Sequence, residues 1–195
     1  MSDTPTNTNL QSAVARSPDD CGVVIYGASG DLTKRKLLPA FYNLFADGIL
    51  PERFTIIGFA RSEMEDEAFR ELARQAITKY SRRPIEPDKW NEFAACLHYN
   101  QPDSLRSLQN LQNELHNNFS RGKNWLYYLS TPPNAYRDIG TCLRETGLAE
   151  DHDTGEHWSR LVVEKPIGRD LDSATRLNRS LAGSFDESQT YRIDH

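Results

Sequence analysis

The sequence predicts an α/β fold, a Rossmann-type doubly wound parallel sheet with helices on both faces. Three observations predict it. From about residue 21 onward, short apolar runs alternate with segments of 3.6-residue apolar period. The first run, Val23-Val24-Ile25-Tyr26, ends in the turn Gly27-Ala28-Ser29-Gly30 and opens directly into a helical segment. That junction is where an α/β sheet holds a phosphate or a dinucleotide. The second run, residues 54–60, is apolar enough to lie inside a parallel sheet covered on both faces.

The elements follow in order. Residues 22–26 form the first strand, and Leu37, Leu38, Phe41, Leu44 and Phe45 mark the apolar face of the helix after it. Asp47-Gly48 ends that helix. After the strand at 54–60, Phe69, Leu72, Ala73, Ala76, Ile77 and Tyr80 make a helical stripe. Residues 96–99 read as a short third strand, and Leu105, Leu108, Leu111, Leu115 and Phe119 as the next helix. Residues 125–129 are a fourth strand, stopped by Pro132-Pro133, and Pro133 suits the first turn of a helix carrying Tyr136, Ile139 and Leu143. A fifth strand at 159–164 precedes a helix with Ala174, Leu177 and Leu181 on one face, and a last strand starts near Gln189.

Composition narrows the function classes. The chain has 195 residues, a net charge of -5 and a pI near 5.6, which argues against a nucleic-acid or anionic-membrane binder. No apolar run approaches the ~18 residues of a membrane span, and residues 1–20 have no signal-peptide core but the polar make-up of a disordered tail. Cys21, Cys96 and Cys142 have no metal-like spacing and read as reduced thiols in a cytoplasmic protein; His98, His116, His152 and His157 show no ligand spacing, so no metal site is expected.

Four stretches carry chemistry. The turn at 27–30 is an imperfect glycine fingerprint: read as G-x-G-x-x-G its first position is Ile25, and read as G-x-x-G-x-x-G its third is Thr33. A structural strand-helix turn is the alternative. Lys34-Arg35-Lys36 sits in the first helical turn, where cations oppose the helix dipole, so three together suggest that anions dock nearby. At the end of the second strand a NAD-binding unit carries an acid for the ribose; here Arg61-Ser62 stand instead. A guanidinium grips a 2′-phosphate, favouring NADP. The alternative is a solvated Arg61 with Ser62 as helix N-cap and Glu65 closing a capping box. Glu164-Lys165-Pro166-Ile167-Gly168 puts Lys165 at the carboxyl rim of the sheet, either as a site residue or in an ordinary Pro-Gly turn. Tyr136, beyond Ser130-Thr131-Pro132-Pro133 on the same rim, either faces the cofactor or packs. On a regular strand Asp194 and His195 point to opposite faces and need separate partners.

Together these motifs resemble the glucose-6-phosphate dehydrogenase family. The family carries a G-A-S-G-D-L-[AT]-x-[RK]-K turn, seen at residues 27–36, and an arginine after the second strand, here Arg61. It also carries a Pro-Pro turn followed by Tyr, here Pro132, Pro133 and Tyr136, then E-K-P-x-G at residues 164–168, and R-I-D-H at residues 192–195. The resemblance implies oxidation of the C1 hydroxyl of glucose 6-phosphate to the lactone, with hydride passing to NADP. It implies that Gly27, Ala28, Ser29, Gly30, Asp31, Leu32, Thr33, Lys34, Arg61, Ser62, Tyr136 and Lys165 contact NADP. Lys36 and Lys165 then reach the sugar substrate or the cleft between it and the coenzyme, and His195 holds the substrate phosphate. Asp194 orients the family's catalytic histidine, which lies downstream of R-I-D-H and outside these residues. A homodimer or homotetramer is expected of the complete protein.

The resulting organisation is a tail at 1–20, a coenzyme domain at 21–188, and the first residues of a substrate domain at 189–195, with no turnover from this stretch alone. A non-catalytic NADP-sensing module is the competing reading; Lys165, Asp194 and His195 speak against it, since a sensor needs no substrate apparatus. A short-chain reductase needs Tyr-x-x-x-Lys, whereas Tyr136 is followed by Gly140 and Tyr80 by Pro84. A P-loop kinase lacks its motif here.

Overall fold

A computed structural model describes residues 18–100, 124–149, 157–165 and 170–194. Its centre is a six-stranded sheet: β1 (Cys21–Tyr26), β2 (Phe54–Phe59), β3 (Leu97–Asn100), β4 (Trp125–Leu129), β5 (Ser159–Glu164) and β6 (Thr190–Ile193). Every pairing is parallel, and the order is β3-β2-β1-β4-β5-β6. The order reverses between β1 and β4, and there the carboxyl ends of the strands open a crevice.

Alternation along the strands divides the core in two. Val23 and Ile25 of β1, Ile56 of β2 and Tyr128 of β4 face one side, covered by α1 (Leu38–Ala46), α2 (Asp66–Tyr80) and α3 (Pro87–Ala95). Val24, Tyr26, Ile57, Tyr127 and Leu129 face the other, covered by α4 (Tyr136–Glu145) and α5 (Leu171–Ala182). Phe69, Ala73, Ala76 and Ile77 of the α2 stripe are buried, as the periodicity predicts, whereas Tyr80 is exposed beneath the charges of Arg35 and Lys79.

Four findings differ from the sequence expectations or lie outside them. Helix α3 has no counterpart among them; Pro87 at its start and buried Phe93 against Tyr42 and Trp90 are its signals. The boundary expected at residue 189 is corrected, because Thr190–Ile193 pairs with β5 as the sixth strand of the same sheet. Ser62 is not a helix cap: α2 starts after Glu65, which makes no side-chain cap, so the capping-box alternative falls. The helix expected around Leu105 to Phe119, the tail up to residue 17, and His152 lie outside the described residues. Among the described residues no helix is long and apolar enough to cross a membrane.

Candidate coenzyme site at the carboxyl edge

The crevice is built from the ends of β1, β2, β4 and β5. Gly27 turns the chain at φ 87°, and its N–H donates to Phe59 O at 2.8 Å, tying the turn to β2. A Cβ on Gly27 would lie 2.2 Å from the carbonyl oxygen of Ser130, so only glycine lets the turn pass this close to the end of β4. Thr33, fully buried, closes the turn from within: its hydroxyl is 3.1 Å from Gly27 O and 3.2 Å from Ser130 Oγ.

The helix begins at Asp31 and runs through a π-helical turn, Thr33–Leu37, into α1. Gly30 N–H donates to Gly27 O and Lys34 N–H to Gly30 O, but the N–H groups of Ser29, Asp31, Leu32 and Thr33 meet no backbone acceptor among the described residues. These are the orphan donors of a helix start, and they suit an anionic oxygen. Ala28 contributes no such donor: it is buried, and its N–H is directed to Phe59 O at 3.3 Å. Leu32 packs its side chain on the core below.

The basic triplet is divided. Arg35 turns back to Asp31 at 3.3 Å and over the Tyr80 ring. Lys34 and Lys36 form no ion pair among the described residues. Neither does Arg61, which is exposed at the end of β2. The turn and the Arg61 loop meet: Ser29 Oγ lies 3.4 Å from Ser62 Oγ. Tyr99, which no sequence motif points to, fixes the loop from below, its hydroxyl 2.7 Å from Ser62 O and 3.2 Å from Ala60 O.

On the other side of the crevice, Lys165 follows β5. Its N–H donates to Ile193 O at 2.9 Å, and its Nζ lies 3.6 Å from Asp194 Oδ2 at the end of β6. Both side chains remain largely open, 52% and 73% exposed. One strand inward, the Tyr128 hydroxyl donates to Glu164 Oε1 at 2.7 Å; burial first, and this carboxylate second, hold the phenol far above its ordinary range. Tyr136 packs instead of facing the crevice: it is 1% exposed, its hydroxyl reaches Leu129 O at 3.4 Å, and burial raises its pKa. His195 and residues 166–169, including Pro166, lie outside the described residues.

All three thiols are free and pushed upward, chiefly by burial, so none is activated. Among the described residues there is no cluster of three His, Cys, Asp or Glu that could hold a metal.

A parallel sheet in this order, with a helix start of unpaired donors at its switch point, defines a pyridine-nucleotide-binding domain of the Rossmann type. Comparison with known proteins agrees and goes further. The family described as "Glucose-6-phosphate dehydrogenase, NAD binding domain" matches residues 24–195. Glucose-6-phosphate 1-dehydrogenase of Aggregatibacter actinomycetemcomitans is 42% identical over 183 residues, 91% of this chain and 36% of that protein. Its counterpart in Chlamydia pneumoniae is 38% identical over 186 residues, 92% of this chain and 36% of that protein. A solved glucose-6-phosphate dehydrogenase in complex with its substrate glucose-6-phosphate superposes with a TM-score of 0.76 at 33% identity, covering 91% of this chain and 37% of that one. The chain belongs to the glucose-6-phosphate dehydrogenase family and carries its nucleotide-binding domain. It spans a little over a third of the length of the curated relatives it matches.

Proposed function

We propose that these residues form the coenzyme-binding part of an NADP-dependent glucose-6-phosphate dehydrogenase. The observation that carries the reading is the contact of two anion-seeking elements: the unpaired N–H groups at 29 and 31–33 adjoin, through Ser29 and Ser62, an Arg61 without an ion-pair partner among the described residues. The first element suits a pyrophosphate and the second a 2′-phosphate.

NADP supplies the hydride acceptor for oxidation of the sugar C1 hydroxyl. The chain's own residues bind and orient. Ser29, Asp31, Leu32 and Thr33 donate backbone N–H groups, and Lys34 adds charge beside them. Gly27 and Thr33 hold the turn against Ser130, and Tyr136 stiffens the end of β4 from within the core. Lys36 and Lys165 reach the sugar substrate or the cleft between it and the coenzyme, and His195 holds the substrate phosphate, roles that rest on the family motifs. Asp194, held near Lys165, orients the catalytic histidine supplied from outside these residues and stabilises its protonated form. The complete protein is then a cytoplasmic homodimer or homotetramer, and the 195 residues alone bind coenzyme without turning over sugar.

The test is to incubate the purified chain with NADP+ and glucose 6-phosphate and to follow both tryptophan fluorescence and absorbance of NADPH. Saturable quenching without NADPH supports the reading. NADPH formation contradicts the division of labour, and the absence of quenching contradicts the coenzyme site.

A further inference from the structure

A second basic surface lies on the solvent side of α4 and α5. Arg137, Thr141 and Arg144 recur at i, i+4 and i+7 along α4, and Arg176, Arg179 and Gly183 at i, i+3 and i+7 along α5 and its cap. Each set forms one stripe. The two stripes face each other across a groove of about 370 Å³ that Ser184 completes. The segment that follows α5 comes close to α4 at Gly140, where a Cβ would lie 3.1 Å from Ser184 Oγ. Arg144 Nη1 donates to Gly183 O at 2.8 Å, which holds one guanidinium across the pair.

Helix stability accounts for only two of these arginines. Arg144 and Arg179 stand in last turns, where the helix dipole favours a cation. Arg137 stands in the first turn of α4, where the dipole opposes it, and Arg176 in the body of α5. None of the four makes an ion pair with a carboxylate among the described residues. Asp170 feels the charge of Arg176 but does not line the groove. Four guanidiniums thus converge on one concavity of a chain whose net charge is -5.

We propose that this groove binds a small molecule carrying two or more phosphate groups, at a site separate from the coenzyme crevice. Guanidinium forks match phosphate oxygens in pairs. Thr141 and Ser184 add hydroxyl donors. The size of the concavity, at the lower end of small-ligand pockets, favours a compact polyphosphate over a macromolecular surface. It shares no lining residue with the crevice between β1 and β4, so the two sites are separable by mutation.

The experiment is calorimetric titration of the 195-residue chain with inorganic triphosphate. Three variants accompany it: Arg137→Glu/Arg176→Glu, Arg137→Gln/Arg176→Gln and Lys34→Ala/Arg61→Ala. The proposal expects saturable binding to the native chain that survives Lys34→Ala/Arg61→Ala. It expects at least about a tenfold loss in the Glu pair, as for removal of charge-assisted hydrogen bonds, and a loss in the same direction in the Gln pair. Circular dichroism confirms that each variant is folded, and the Gln pair serves if charge reversal unfolds the chain. The proposal is overturned if the native chain shows no saturation. It is also overturned if binding disappears only with Lys34 and Arg61, which places the anion in the crevice. Tighter binding of a glutamate-rich peptide than of triphosphate overturns it too, reassigning the groove to a protein partner.

Discussion

The hydroxyl of Tyr99 lies 2.7 Å from the carbonyl oxygen of Ser62 and 3.2 Å from that of Ala60, so a side chain of β3 clamps the backbone on both sides of Arg61. Tyr99→Phe keeps the ring against Phe69 and removes only the clamp. The expected result is a weakening of NADP+ binding by about three- to tenfold, little change for NAD+, and a loss of about 1 kcal/mol in urea unfolding, the worth of one ordinary hydrogen bond. Equal losses for both coenzymes would show that Tyr99 supports the fold and not the Arg61 loop.

Gly27→Ala tests the turn. The substitution puts a Cβ at φ 87° and 2.2 Å from Ser130 O, combining backbone strain with a clash against main chain. A destabilisation of about 2–4 kcal/mol is expected, measured as a shift in the urea midpoint, together with loss of coenzyme binding. An unchanged midpoint would mean that β1 and β4 are not held as close as described.

Thr33→Val separates the turn from selectivity. The valine is near in shape and lacks the hydroxyl that links Gly27 O and Ser130 Oγ inside the protein. Stability should fall by about 1–2 kcal/mol, while the ratio of NADP+ to NAD+ affinity stays fixed. A changed ratio would implicate Thr33 in reading the 2′-phosphate.

The strands were legible because buried parallel strands are continuous apolar runs, as residues 23–26 and 54–59 are, and the turn was legible because glycines mark close backbone approach. The last strand misled as to domain because Thr190–Ile193 is an edge strand of mixed exposure, whose polar residues do not announce which sheet it joins. Helix α3 was missed because nine residues with one buried position give little periodicity. The roles of Tyr99 and Thr33 depend on contacts across 37 and 97 residues of sequence, which local pattern does not encode. Tyr136, open in the sequence, is 1% exposed within the cluster that holds Tyr127 and Leu129 of β4, its hydroxyl on Leu129 O, contacts that local pattern does not encode.

Stability should decline at alkaline pH. The Cys21 thiol is pushed up to about 11 from 9.0 by burial and then by the carboxylates of Asp20 and Asp19, with Arg160 opposing. Between those values the unfolded chain releases the proton and the folded chain keeps it, so the unfolded state binds fewer protons and stability falls as pH rises. The contribution is complete below pH 9 and lost by about pH 11, with a slope of at most about 1.4 kcal/mol per pH unit. Tyr26, Tyr128 and Tyr136, all raised by burial, extend the decline above pH 10. Urea unfolding from pH 8 to 11 measures it, and Cys21→Ala should lessen the slope between 9 and 11, leaving the share that Cys96, Cys142 and the tyrosines contribute.

The proposed selection of NADP through Arg61 is tested by parallel titration of the native chain and Arg61→Ala with NADP+ and NAD+. The native chain should bind NADP+ more tightly than NAD+. Arg61→Ala should weaken NADP+ by about tenfold or more while NAD+ stays within about twofold, as expected for loss of one charge-assisted contact to a phosphate. Equal affinities in the native chain, or equal losses in the variant, would contradict it.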